Sequence, residues 1–450
     1  MSRLTFKKGG IHPDAAKLTA GMPIVALELP RRAVVMLSQH IGAPATPCVA
    51  RGAHVDRGDV IGEAASSFSA FVHAPVSGTV REVGAVPGAD GYPAPAVIIE
   101  ADDADHMKDM ADRKALYDTL AEPPGCLLSD DIDAQEIADA VRRAGIVGMG
   151  GATFPTDIKL HTGHDKPDVL VINACECEPY LTCDDALMRA WPAQIVAGIR
   201  LMLRASGASR AVIGIEDNKP EAAAALRAAI GPSWPIEIKV LITKYPQGGE
   251  KQLVQAVTGR RIPSGGLPLS VGVVVNNVAT AFAVYMAVER RAPLTDRVIT
   301  VTGDTPARGN YLVAIGTQFS GMLGDIADGS KVIVGGPMMG RTAVTLDAAV
   351  TKGTSGLLVM AGDNRRRAAQ PCIRCARCSE VCPMGLEPYL ISTYGRLQMF
   401  AEARANDVMD CIECGSCSYT CPSARPILDF IRLAKREVGA IIKAEKSMKK

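Results

Sequence analysis

Four short runs of almost unbroken apolar residues mark the middle of the chain, at 169–172, 211–215, 238–242 and 271–275. A strand with one wet face alternates apolar and polar residues. These runs do not alternate, so they predict a parallel sheet covered by helices on both faces. The helix expected just before them spans 132–144, where Ile132, Ile137, Ala140, Val141 and Ala144 share one side. Residues 21–100 instead carry short β-branched runs broken by glycine and proline, with Gly52, Gly58 and Gly62 at turn-like intervals. An acidic stretch at 102–112 reads as a linker or the start of a solvated helix. Strand-like runs return at 298–301, 311–315, 331–334 and 357–360. Beyond them, 386–405 reads as one helix, and Ile431, Ala434, Val438, Ile441 and Ile442 recur at helical spacing near the end. Four domains are therefore expected: an all-β unit at 1–120, an α/β unit at 121–292, a small β-rich unit at 293–364 and a mostly helical unit at 365–450, entered through Arg365, Arg366 and Arg367.

The apolar fraction of 48% over 450 residues is ample for several cores. A formal charge of only +1 gives no electrostatic case for nucleic acid. The most apolar stretch, 271–288, contains Asn276 and Asn277, so no membrane span is expected. Residues 432–450 hold seven basic and two acidic side chains, a net of +5. That reads as a solvated helix, with docking to an anionic membrane or partner as the sharper alternative.

The strongest chemical signal is a pair of cysteine runs, Cys372-x2-Cys375-x2-Cys378-x3-Cys382-Pro383 and Cys411-x2-Cys414-x2-Cys417-x3-Cys421-Pro422. This is the bacterial ferredoxin spacing for [4Fe–4S] clusters, in which the fourth cysteine of each run ligates the other cluster. One cluster is thus assigned to Cys372, Cys375, Cys378 and Cys421, and the other to Cys411, Cys414, Cys417 and Cys382. Zinc sites favour pairs of CxxC, and disulfides are not expected without a secretory signal, so a reducing cytoplasm is the expected compartment. Cys175, Cys177 and Cys183 match no such spacing, and Cys48 and Cys126 are expected to be ordinary small apolar residues. The seven histidines show no HxxxH or HExxH pair, and His73 is expected to pack. No Walker lysine motif supports ATP chemistry.

The second signal is the loop Gly145-Ile146-Val147-Gly148-Met149-Gly150-Gly151-Ala152-Thr153-Phe154-Pro155-Thr156. Glycines this dense let backbone N–H groups approach a phosphate or a flat ring. The loop follows a helix, so it is not the dinucleotide fingerprint, and taken alone a simple packing turn explains it equally well. It is not alone. Asn173-Ala174-Cys175-Glu176-Cys177-Glu178-Pro179-Tyr180, Gly248-Gly249-Glu250-Lys251 and Asn276-Asn277-Val278-Ala279-Thr280 each follow an expected strand, at the carboxyl ends where parallel sheets bind ligands.

This order of motifs ahead of two ferredoxin runs resembles the RnfC family, a component of the Rnf membrane complex. The resemblance extends to Gly9-Gly10-Ile11-His12-Pro13 and Ser38-Gln39-His40-Ile41-Gly42-Ala43-Pro44 near the amino end. The α/β unit is also similar to the NADH-oxidising subunit of respiratory complex I, with its GxGGAGFPT, NADESEP and VNNVET segments. Residues 71–80 resemble the hairpin strand of biotinyl/lipoyl barrel-sandwich domains, but Ser67 stands where the carrier lysine would be, which implies an adaptor. The small β-rich unit fits a β-grasp (SLBB-like) domain, and the α/β unit a Rossmann-like flavin domain.

The resemblance implies a noncovalent FMN and an NADH site. Gly148, Gly150, Gly151 and Lys159 would surround the flavin and its ribityl side. Asn173, Glu176, Gly249 and Glu250 would line the isoalloxazine, Asn276, Asn277 and Thr280 would hold the phosphate, and Glu178 would face the nicotinamide nucleotide. Met149 replaces the complex I loop arginine, Cys175 replaces the aspartate of NADESEP, and Leu160 and His161 replace aromatic residues after the loop lysine. These departures, with ligands for two clusters instead of one, favour Rnf. The implied activity is that of an oxidoreductase subunit at the cytoplasmic face of the membrane, passing electrons between NADH and membrane-embedded and ferredoxin-like partner subunits in an ion-translocating complex. Two alternatives are a cobalamin reductase-type flavin and iron–sulfur subunit, and a flavin-free electron-wire scaffold.

Overall fold

A computed structural model describes residues 4–123, 132–161, 163, 166–362 and 367–448. Cys126, Arg365 and Arg366 lie outside the described residues. The four apolar runs form one all-parallel sheet, in the order Ile236–Leu241, Arg210–Glu216, Val169–Ala174 and Val273–Asn277. Helices Pro192–Ser206 and Val278–Glu289 bury one face against Leu170, Ile172, Ile213 and Val274. Glu250–Thr258 covers the other against Val171, Val212 and Val275. The inner strands and Val273–Asn277 have both faces covered and no room for polar alternation, which explains their runs, whereas the edge strand Ile236–Leu241 leaves Glu237 and Val240 exposed.

The expected helix at 132–144 occupies Ala134–Arg143, opened by a reciprocal capping box between Asp133 and Glu136. The amino-terminal unit is two antiparallel sheets, one four-stranded and one three-stranded, closing on Val35, Leu37, Ile61, Val72, Val80, Val97 and Ile99. His73 is buried there. Cys48 is exposed, contrary to the apolar packing expected of it. The acidic stretch is the helix Asp103–Asp118, capped by Asp102. It is not wholly solvated: Asp109 is buried and accepts from the Ser77 amide and hydroxyl, and buried Arg113 pairs with Asp296.

A six-stranded mixed sheet forms the third unit, and its outer strand is Ile24–Ala26, parallel to Gly309–Ala314. The segment before that strand crosses the α/β unit, with Leu4 bridging Leu241 and Ile11 bridging Tyr245. In the carboxyl-terminal unit the single helix expected at 386–405 is two, Pro388–Arg396 and Phe400–Ala405. Gln398 between them has φ +57°, a left-handed conformation that no helix can continue through. Both pack on the final helix Ile427–Met448 through Ile391, Ala403, Ile431 and Ala434.

Candidate functional site

The glycine loop leaves the helix at Gly145, where φ is +66°, and returns at Pro155. Gly148 N donates to Phe154 O (2.8 Å) and Thr156 N to Ile146 O (3.1 Å), closing it into a turn. Its apex is pinned twice at Met149: the amide donates to Thr280 Oγ1 (3.0 Å) and the carbonyl accepts from buried Arg297 (2.7 Å). Gly150 and Gly151 stay exposed. A β-carbon at Gly150 would lie 2.6 Å from Asn277 Nδ2, whereas one at Gly151 would meet nothing within 4 Å. The loop is therefore packed on one side against the end of the strand Val273–Asn277 and open on the other.

The other motif residues gather at the same edge. Lys159 Nζ donates to Val275 O (3.0 Å) and lies 3.6 Å from Glu250, the first residue of its helix. Asn173 Nδ2 donates to Gly248 O (2.8 Å), joining the first strand end to the Gly248–Gly249 turn. Asn277 caps the helix after it through Ala279 N and donates to Asp184 (2.7 Å). Asn276 is 4% exposed, and neither its Oδ1 nor its Nδ2 has a partner. A buried amide left unpaired on both atoms costs about 1–3 kcal/mol per group, which a polar ligand relieves. The donor set, with the open glycine loop, fits a phosphate-bearing flavin.

Glu176 has φ +44°, and its carboxylate accepts from Asp184 N (2.7 Å) and Asp185 N (3.3 Å), capping the helix Cys183–Ala190. Asp184 is pushed up to about 6 by burial and by the Glu176 charge. Glu176, Cys183 and Asp184 have ligand atoms within 4.8 Å of one another. Because Glu176 already serves as a helix cap, the group reads as local structure. Cys175 and Cys177 are engaged elsewhere, Cys175 Sγ with Gly214 O (3.5 Å) and Cys177 Sγ with Gly248 N (3.2 Å).

Lys17 gave no sequence signal, yet its ammonium donates to the carbonyls of Glu176 (2.8 Å), Glu178 (2.9 Å) and Leu181 (2.5 Å). All three donors are spent holding one loop, and burial lowers its pKa against the pull of Glu176. Lys219 holds Cys175 O from below (2.7 Å). Neither lysine lies in a periodic pattern or a motif, so only the fold reveals them.

Glu178 lies at a junction. Its carboxylate accepts from Met338 N (3.1 Å) and Met339 N (2.7 Å), and burial raises it to about 6 against those two bonds.

The two cysteine runs fold alike. The residue before the second cysteine is left-handed in both (Arg374 φ +57°, Glu413 φ +57°), as is the residue after it (Ala376 φ +58°, Gly415 φ +79°). Three residues past the fourth cysteine the match recurs, at Gly385 (φ +72°) and Ala424 (φ +49°). The third cysteine then enters a short helix, Arg377–Glu380 or Ser416–Tyr419. Three left-handed residues in the same places make the runs a structural repeat, and such turns aim amides at bound thiolates. Burial raises the thiols of Cys411, Cys414 and Cys417, and the Cys382 thiol adds to the rise in each. The last cysteine of the first run is thus within electrostatic reach of the second. Cys372 and Cys375 are exposed and Cys378 is buried.

Residues 4–104 match the RnfC barrel sandwich hybrid domain, residues 141–286 the Nuo51 FMN-binding domain and residues 365–422 a 4Fe-4S dicluster domain. The chain is 43% identical over 442 residues to the C component of the Na(+)-translocating ferredoxin:NAD(+) oxidoreductase complex of Acetobacterium woodii, covering 96% of this chain and 97% of that one. The chain belongs to the RnfC family. It is also 39% identical over 398 residues to the C component of the proton-translocating ferredoxin:NAD(+) oxidoreductase complex of Clostridium ljungdahlii, covering 86% and 84% of the two chains. A chain of an NAD+-reducing [NiFe]-hydrogenase shares the fold over 69% of this RnfC chain and 67% of its own length, at a TM-score of 0.51 and 22% identity.

Proposed function

We propose that this RnfC chain is the NADH-interacting FMN and iron–sulfur subunit of a ferredoxin:NAD oxidoreductase complex. The observation that carries the reading is the edge of the parallel sheet, where the open glycine loop packs on Asn277 and the preceding Asn276 is buried with both amide atoms unpaired. Gly148, Gly150, Gly151 and Lys159 would surround the FMN, Asn173, Glu176, Gly249 and Glu250 would line its ring, and Asn276, Asn277 and Thr280 would hold its phosphate. A bound flavin accepts hydride and releases electrons singly, which joins a two-electron nucleotide to one-electron clusters. The protein's part is to hold that flavin against the sheet edge and to bring the cysteine runs beside it.

The repeated backbone of the runs supports two [4Fe–4S] clusters, one on Cys372, Cys375, Cys378 and Cys421 and one on Cys411, Cys414, Cys417 and Cys382. The parallel sheet with helices on both faces supports a Rossmann-like unit, and the six-stranded mixed sheet a β-grasp (SLBB-like) one. Among the described residues no helix is long and apolar enough to cross a membrane. The chain would therefore attach through membrane-embedded and ferredoxin-like partner subunits at the cytoplasmic face. The end of the final helix, with Ile441 and Met448 exposed among lysines, would add a membrane contact.

Gly150→Val tests the cofactor reading. A β-carbon there meets Asn277, so the loop must shift from the sheet edge. The unaltered protein should release one FMN per chain on denaturation, and the variant less than a tenth of that, about the effect of 1.4 kcal/mol or more. A full flavin complement in the variant would make the loop a packing turn.

A further inference from the structure

Residues 335–340, Gly-Gly-Pro-Met-Met-Gly, take no part in the site as described, yet three units meet on them. From the α/β unit, Glu178 accepts from the Met338 and Met339 amides, one on each carboxylate oxygen. Gly336 makes room for it, since a β-carbon there would lie 2.3 Å from Glu178 Oε2. From the cysteine-bearing unit, a β-carbon at Gly415 would lie 2.9 Å from Met338 O. Arg432 lies 3.5 Å from Met339 O and pairs with Glu413 at 3.1 Å. Tyr245, 1% exposed, closes the triangle: its hydroxyl donates to Cys414 O (2.8 Å), and burial together with the nearby Glu178 charge holds its phenol up. Around it Ile11, Tyr245 and Cys414 form one apolar cluster with Cys177, Met338 and Ile412.

We propose that Glu178 is a positioning residue: through the Met338 and Met339 amides, and with Tyr245 bonding Cys414 O beside it, it docks the Cys411–Cys417 loop onto the loop that lines the flavin site. The consequence is that the cluster of Cys382, Cys411, Cys414 and Cys417 lies beside the flavin, and that Glu178 fixes their separation without contacting nucleotide. The inference rests on the FMN reading above. The two amide bonds commit the carboxylate to residues 335–340, which separates this role from the nucleotide contact that the resemblance implies.

The test uses the full chain purified without oxygen. FMN and iron are first counted in the unaltered protein, so that absence of flavin there would sink the cofactor reading by itself. Three variants follow: Glu178→Gln, which swaps one acceptor for a donor, Gly336→Ala, which pushes the loop off Glu178, and Tyr245→Phe, which removes one buried oxygen. In Glu178→Gln, hydrogen exchange at Met338 and Met339 should quicken about tenfold, the loss of one charge-assisted bond. Each variant should keep FMN and iron, bleach its flavin with NADH at the unaltered rate, and pass electrons from flavin to clusters more slowly. The EPR signal of the flavin-side cluster should change in Tyr245→Phe. The proposal is overturned if Glu178→Gln slows flavin bleaching by NADH while Tyr245→Phe and Gly336→Ala match the unaltered protein, or if cluster reduction is unchanged in all three. Should Gly336→Ala fail to fold, Glu178→Gln and Tyr245→Phe together decide between these outcomes.

Discussion

Two lysines, half-buried Lys17 and buried Lys352, hold backbone that no motif announces. Lys17 satisfies three carbonyls of the loop that carries Glu176 and Glu178, two of whose residues, Glu176 and Tyr180, are left-handed. Replacing it by Met leaves those carbonyls unpaired at about 1–3 kcal/mol each, enough to let the loop relax. Lys17→Met is therefore expected to lose most of its FMN while keeping its iron, as counted by released flavin and metal analysis; equal loss of both would make the lysine a general prop. Lys352 is fully buried, donates to Phe71 O (2.5 Å) and Gly145 O (2.7 Å), and is pushed by burial from 10.5 down to about 7. His40 and His73 feel its charge and are both held low, first by burial. The unfolded chain holds the Lys352 proton up to about pH 10.5 and the folded one only to about 7, so this group's penalty is complete below pH 7 and fades as pH rises. The melting temperature of the unaltered protein, relative to Lys352→Met, should rise between pH 7 and 10 by the equivalent of a few kcal/mol. A difference that stays flat with pH would place the charged form in the fold.

At the scale of elements, three of the parallel strands were legible because burial on both faces forbids alternation, the half-exposed edge strand Ile236–Leu241 by its apolar residues alone, and the Ala134–Arg143 helix because its apolar residues share a side. The break at Gln398 was not legible, since a left-handed glutamine has no sequence mark. Nor was the placement of Ile24–Ala26, because a strand three residues long pairs by tertiary context alone. Within the site, the glycine loop and the strand-end motifs were visible as types and spacings. The pins on Met149 from Arg297 and Thr280 needed the fold, being 148 and 131 residues away in sequence. The cysteine repeat yields a prediction at this scale. If Cys382 serves the other run, then Cys382→Ala with Cys411→Ala damages one cluster only, and about four iron should remain. Cys382→Ala with Cys372→Ala should damage both and leave almost none. The reverse pattern, by iron analysis of anaerobic protein, would mean that each run closes on itself.

Across the whole molecule, the chain repeatedly ties its units together near the flavin site. The amino-terminal segment passes Leu4 and Ile11 along the α/β sheet edge, leaves Lys17 under the flavin loop, and then joins the mixed sheet. Gly9 packs so closely on Cys382 that a β-carbon would lie 2.5 Å from its carbonyl, and Gly10 N donates to Val381 O (2.8 Å). The α/β unit and the cysteine runs are thus held as one electron-carrying body, with Cys372 and Cys375 exposed on the outer run. The central claim is that this body takes hydride equivalents at the sheet edge and delivers single electrons to its clusters. An anaerobic optical titration with NADH tests it most directly, following the flavin and iron–sulfur bands in one sample. The account predicts that both bands bleach on NADH addition, and that Gly150→Val abolishes both responses while dithionite still reduces its clusters. Clusters that NADH reduces equally well in the flavin-free variant, or a flavin that bleaches while the clusters stay oxidised at any NADH concentration, would contradict it.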